Sequence, residues 1–316
     1  MIRSSWVYYG AIALMAAVML ETTAQKTPTA EIFEALYSSD RDAQLNALSE
    51  LRERLSSDDG FEEVFAVSEH QLNRSESPFV RSMVAILLGR VGDVRDDRWA
   101  PRKSRVLNTL ITRFRLEAHK GVRTSIVRAL GKLKHVDSIS FLKTLTTHED
   151  PRIALEAFES LGRIGRELED RALTPWFLSV LQDELTRMRG KGTSAEGIGS
   201  IEALGMVDDR RVLGILQQIV ETSDPLRLYA LPALERIAGE HRWPLWNREA
   251  ERTRGPLSIT ESERQAAESM IRTLSFDEDP YIRERANAYL MTLETLDREH
   301  AELRAKLEAS GNPTGR

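Results

Sequence analysis

The chain contains no cysteine, which excludes disulfide staples, thiolate metal sites and a cysteine nucleophile whichever redox compartment holds it. Aromatic residues are scarce, at 6% of 316 residues. Histidines are few, and His70, His119, His135, His148, His241 and His300 never show the His-x-x-x-His or His-Glu-x-x-His spacing that puts two imidazoles on one helical face. No Gly-x-Ser-x-Gly occurs, and Gly190-Lys191-Gly192-Thr193-Ser194 lacks the upstream glycine and the preceding strand of a phosphate loop. The residues therefore nominate no catalytic group, no metal and no cofactor. A net charge of −5 argues against a chain coated with nucleic acid, though it leaves room for a local basic patch. What is present, 41% hydrophobic and 29% charged residues, describes a folded chain held by apolar packing.

One long apolar run occurs, and it lies at the amino terminus. Arg3 precedes 15 uncharged residues from Trp6 to Leu20, and Thr22-Thr23-Ala24 puts small residues at −3 and −1 of a cut before Gln25. This predicts a signal peptide over 1–24 and an exported, periplasmic chain. The alternative is an inner-membrane anchor, since Ser4 to Leu20 is uncharged and falls just short of the roughly 20 residues that span a bilayer.

Elsewhere one pattern returns. A Ser or Asp beside Pro is followed by Arg about four residues into the unit, then by small and apolar residues at helical spacing, then by Leu-Gly. Ser77-Pro78-Phe79-Val80-Arg81 leads to Leu88-Gly89, His119 to Arg123 leads to Ala129-Leu130-Gly131, and Asp150-Pro151 leads to Leu161-Gly162. Weaker copies start at Asp40, Thr193, Ser223 and Asp279. Ser77, Asp150, Asp224 and Asp279 suit the N-cap with Pro at the first helical position, and Thr193 with Glu196 and Thr260 with Glu263 have capping-box spacing. The glycines at 89, 131, 162 and 205 are expected to end each first helix where a left-handed conformation is favourable. Amphipathic second helices are expected over 101–117, 138–146, 174–188 and 210–221. Such pairs cannot bury their apolar faces alone, so they predict an all-α fold, an α-solenoid of stacked antiparallel helix pairs.

The runs Ser77-to-Asp93, His119-to-Leu145 and Asp150-to-Gly165 resemble HEAT repeats, particularly the short kind first described in phycobilisome lyases. The resemblance implies a superhelix whose second helices line a concave surface that often takes protein partners. It does not imply an activity. The relatives with a di-iron hydroxylase site carry repeated His-Glu pairs, whereas here only His148-Glu149 has that order. The resulting division is a signal peptide over 1–24, capping helices and a degraded first repeat over 25–76, the array over 77–238, an insertion over 239–262, a terminal repeat with a long capping helix over 263–309 and a disordered tail over 310–316.

Three features bear on partners. The insertion carries Trp243 and Trp246, residue types favoured at interface hot spots or folded back over the core. Tyr289, Leu293, Leu296, His300, Leu303 and Leu307 alternate at four and three, the spacing of a short coiled-coil seam or a terminal cap, so oligomerisation through 289–307 is a candidate. Charge is also segregated: residues 95–134 hold 12 Lys and Arg against three acids, net +9, while 31–69 holds 11 acids against three Arg, net −8. Arg102, Arg105 and Arg115 lie opposite the apolar stripe of Val106, Leu107, Leu110, Ile111 and Phe114. They read as a site for an acidic partner surface or an anionic polymer, or as a match for the acidic first repeat. The expectation is a non-catalytic scaffold binding another protein of the envelope. The alternatives are a polyanion binder through 95–134 and an enzyme whose site is not recognisable.

Overall fold

A computed structural model describes residues 28–38, 40–167, 173–187, 194–207, 209, 211–222, 225–239 and 260–309. Among these there are fourteen α-helices and no strand. They are α1 (Pro28–Ala35), α2 (Arg41–Leu55), α3 (Phe61–Arg74), α4 (Pro78–Gly89), α5 (Ala100–Leu116), α6 (Lys120–Leu133), α7 (Ser138–Leu145), α8 (Pro151–Glu167), α9 (Leu173–Arg187), α10 (Ala195–Leu204), α11 (Arg211–Glu221), α12 (Arg227–Gly239), α13 (Glu261–Leu274) and α14 (Pro280–Ala309). The chain is an all-α solenoid: in chain order α4/α5, α6/α7, α8/α9, α10/α11 and α12/α13 are successive pairs, with α1 to α3 before them and α14 after them. The segment 1–24, the Trp243 and Trp246 insertion, the loop over 190–193, Asp224 and the tail over 310–316 lie outside the described residues.

The starts behave as N-caps. Ser77 accepts from the Val80 N–H, Asp150 from the Arg152 N–H at 3.0 Å and Asp279 from the Tyr281 N–H at 2.8 Å, and Thr260 with Glu263 forms a complete capping box. At α10 the cap is Ser194, which accepts from the Gly197 N–H, one residue later than the Thr193 spacing predicts.

The glycines do not end helices in a left-handed conformation. Gly131 and Gly162 lie inside α6 and α8, and α6 ends instead at Lys134, the only described non-glycine residue with positive φ (55°). Their purpose is close approach. A Cβ at Gly89 would sit 2.8 Å from Cα of Ala129, one at Gly131 2.8 Å from Cα of Ser160, one at Gly162 2.9 Å from Cα of Ala203, and one at Gly205 2.7 Å from Cα of Ala233. Each glycine therefore meets the small residue that stands two before the next glycine, in Ala129-Leu130-Gly131, Ser160-Leu161-Gly162 and Ala203-Leu204-Gly205. The intervening Leu130, Leu161 and Leu204, with Leu88 and Leu234, are completely buried. At the last joint Glu235 replaces the glycine. There α14 docks through side chains, Arg285 to the Glu235 carboxylate at 3.3 Å and the Tyr289 hydroxyl to its carbonyl at 2.6 Å.

The recurring Arg fastens the turns. Arg81 donates to the carbonyls of Ser75 (2.7 Å) and Glu76 (3.1 Å), and Arg283 to the carbonyl of Asp277 (2.7 Å), the same backward reach of six residues. Arg81 also grips Glu117 with two hydrogen bonds of 2.9 and 3.1 Å, while Glu117 accepts from Arg113 and from the His119 N–H. Arg227 meets Asp277 at 2.9 Å, and Asp277 accepts from the Asp279 N–H. A carboxylate two residues before the next cap thus joins the end of a unit's second helix to the start of its first. In the α6/α7 unit His148 takes that place, its Nδ1 accepting from the Asp150 N–H at 2.9 Å, while the Arg123 guanidinium lies 4.4 Å over Phe114.

The glycine contacts settle the curvature. Successive first helices α4, α6, α8 and α10 approach backbone to backbone, whereas among the described residues no glycine brings successive second helices that close, and Phe114 of α5 meets Phe141 of α7 with ring centroids 5.5 Å apart. Two layers of unequal spacing bend toward the tighter one. The first helices therefore line the inner, concave side and the second helices the outer side, the reverse of the expectation that second helices line it.

Candidate functional site

The inner face is built from the solvent-side positions of α4, α6, α8 and α10, each a turn apart on its helix. Arg90 stands at the end of α4, Arg128 and Lys132 on α6, Glu156, Glu159 and Arg163 on α8, and Glu202 on α10. Arg128 clamps Glu156 through Nε at 3.0 and 3.1 Å, and Arg163 pairs with Glu159 at 2.6 Å. Near the edge, Asp93 takes Arg90 (3.4 Å) and Lys134 (3.7 Å), and Lys134 also reaches Glu167 (3.3 Å). Burial pushes the Glu156 carboxyl above the usual range despite the Arg128 bonds, because neighbouring Glu159 adds repulsion. Burial also raises the Glu202 carboxyl, with Glu159 as the next cause. Burial lowers Lys132, and Arg90, Arg163 and Arg128 depress it further. Both signs of charge thus share one partly desolvated surface. Lys132 is one of the twelve cations counted over 95–134 and Glu202 lies outside both charged segments, but a local charge sum cannot show what either faces, because their company is set by helix stacking.

The five residues singled out from sequence lie elsewhere. Arg102 and Arg105 project from α5, in the outer layer, toward the acidic amino-terminal helices. Arg102 pairs with Asp58 and lies 4.4 Å over the Trp99 ring. Arg105 binds Glu62 at 2.8 Å and covers Phe65 at 4.6 Å. The basic segment and the acidic first repeat therefore match each other at these two residues. Arg115 is exposed on the same helix, apart from that contact, and Trp243 and Trp246 fall outside the described residues. On α14, Tyr289 and Leu293 pack against the array and α12 in particular. The side chains of Leu296, His300, Leu303 and Leu307 are outside the described set.

His148, of the His-Glu pair, is spent on the Asp150 N–H and stands edge-on to Phe114. His135 accepts from the Asp137 N–H at 3.2 Å and shares a hydrogen bond with Ser104 at 3.0 Å. Among the described residues no group of three or more His, Asp and Glu is arranged to hold a metal ion.

Comparison with known proteins adds one decisive match: the family model of HEAT repeats fits residues 107–192, which span α6, α7, α8 and α9. The chain carries HEAT repeats. Among curated proteins none matches it. Solved structures similar to this HEAT array include human deoxyhypusine hydroxylase in complex with glycerol (15% identity, TM-score 0.34, covering 84% of this chain and 96% of that one). The complex of CpcE and CpcF of phycocyanin lyase from Nostoc sp. is similar too (19% identity, TM-score 0.37, covering 86% and 96%).

Proposed function

We propose that this HEAT-repeat chain is a non-catalytic scaffold that binds another protein along its inner face, and that it works in the cell envelope. The observation that carries the binding reading is the inner layer itself. Glycine contacts draw the first helices into a continuous surface, and the charged side chains on it are half-buried, or buried in the case of Glu156, rather than freely hydrated. Such a surface loses less on covering than a fully hydrated one, and repeat arrays present extended concave surfaces of this kind. Arg102 and Arg105 serve a polyanion less well, because Asp58 and Glu62 already hold them. The envelope part rests on Arg3, the uncharged run and Ala24 alone.

The test is site-specific photo-crosslinking in cells from Ser125 and Leu155, half-exposed on α6 and α8, against Thr112 and Ser140, exposed on α5 and α7. One recurring adduct from the inner pair and none from the outer pair is expected, and adducts from the outer pair alone overturn the reading. Fractionation should place a soluble form beginning at Gln25 outside the cytoplasm. Cytoplasmic protein with intact Met1 refutes export, and a membrane-bound form with intact Met1 marks the anchored alternative. Stoichiometric iron or zinc in the purified protein would replace the scaffold with an enzyme.

A further inference from the structure

Two charges on the inner face have no direct ion-pair partner among the described residues. Neither Lys132 of α6 nor Glu202 of α10 has a side-chain hydrogen bond or ion pair among the described residues, yet both are half-buried. Their surroundings worsen the imbalance. Lys132 stands among Arg90, Arg163 and Arg128, with Asp93 acting against them, and Glu202 faces Glu159 and Glu156, with Arg236 acting against them while its guanidinium donates to the Glu202 carbonyl at 3.3 Å. Burying an unpaired charge costs stability, and folding gains nothing here in return.

The register puts the two on one line. Gly131 stands against Ser160 and Gly162 against Ala203, so Lys132, Leu161 and Glu202 share one level across α6, α8 and α10. Neighbouring helix axes are about 8–10 Å apart, so the two side chains are separated by about 16–20 Å, too far to neutralise each other. An extended chain advances about 3.3 Å per residue and covers that distance in about five or six residues.

We propose that Lys132 and Glu202 are the two poles of a peptide-binding subsite, which takes an extended segment of the protein partner across the first helices. The segment places an Asp or Glu at Lys132 and a Lys or Arg at Glu202, five or six residues apart. This rests on the scaffold reading above and names the chemistry of its partner. Arg90 and Arg163 add donors to the incoming carboxylate, and Glu159 adds an acceptor for the incoming cation. A polyanion fits this line poorly, because Glu156, Glu159 and Glu202 repel its second half.

The experiment is selection of a random 12-residue peptide display library on the full chain, on Lys132→Glu and on Glu202→Lys. The parent should enrich peptides with one acidic and one basic residue five or six apart, Lys132→Glu peptides with two basic residues at that spacing, and Glu202→Lys peptides with two acidic ones. Either reversal should weaken parent-selected peptides tenfold or more. Identical enrichment on all three proteins overturns the proposal. So does binding of polyphosphate that Lys132→Glu abolishes while no basic residue is ever selected.

A second readout separates a binding role from a structural one. Lys132→Met and Glu202→Gln should unfold at the same denaturant concentration as the parent or higher, and a lower midpoint for either makes that charge a structural one and sinks the proposal. If Ser125 and Leu155 still crosslink the partner equally in both reversal variants, the scaffold reading stands and the two-pole reading alone falls. If selected peptides crosslink only from Thr112 and Ser140, both fall.

Discussion

The inner and outer layers of this array are made of alternate helices of one chain, yet they tolerate different residues for opposite physical reasons. In the inner layer Gly89, Gly131, Gly162 and Gly205 each lie against the backbone or a small side chain of the next helix. In the outer layer Gly214, on α11, has nothing within 4 Å of where its Cβ would be. One residue type therefore permits contact in one layer and merely loosens the helix in the other. The lesson is that glycine in a helical repeat says nothing until its neighbour across the interface is known.

The largest effect should come where the two layers are tied together. Glu117 has a side chain only 2% exposed and is held by Arg81, Arg113 and the His119 N–H. Glu117→Ala leaves Arg81 buried without its partner and should cost about 3–5 kcal/mol, read as a lower urea midpoint. The same site sets an acid dependence. Burial alone would raise this carboxyl, but hydrogen bonds from Arg81, His119 and Arg113 outweigh it and hold the pKa at about 2 against 4.5. The folded value lies below the unfolded one, so the stabilisation is complete above about pH 4.5 and is lost as pH falls toward about 2. Unfolding curves of Glu117→Gln should accordingly be flatter than those of the parent across that window, and an equal slope would remove Glu117 from the account.

Next in size is the shared core. Leu130 is completely buried between the layers, and Leu130→Ala should cost about 2–5 kcal/mol; an unchanged midpoint would show that the register is wrong. Gly162→Ala then tests the inner layer by itself. Its Cβ meets Cα of Ala203 at 2.9 Å, which forces α8 and α10 apart and should cost about 1–3 kcal/mol. The smallest change has the opposite sign. Gly214→Ala on α11 meets no atom and should stabilise by about 0.5–1 kcal/mol, through the lower helix entropy cost of alanine. Should the two glycine substitutions shift the midpoint in the same direction, the contrast between the layers is lost.

Much of the fold was legible because its signals are local. Caps such as Ser77, Asp150 and Thr260 act within four residues, and the amphipathic stripe of α5 spans one helix, so the second helices fall within a residue or two of their expected bounds. The capping role expected of the glycines was misplaced, because a glycine after leucine looks the same whether it turns the chain or admits a neighbour. The charged segments were legible as segments. Their pairing of Arg102 with Asp58 and Arg105 with Glu62 matches one of the readings open from sequence. The grouping of the inner-face charges was not, since Lys132 and Glu202 stand 70 positions apart and come onto one line only through the stacking of three helices.

The sequence by itself determined the all-α repeat architecture, the helix starts at Ser77, Asp150, Thr260 and Asp279 and the leucines that fill the core, because these follow from periodicity and from hydrogen bonds within one turn. Only the tertiary structure decided which layer is concave, which charges find partners and which are left without one. Those outcomes depend on the distance between neighbouring helices, and that distance is set by pairs of residues about 30 to 40 positions apart, a glycine on one helix and a small side chain on the next.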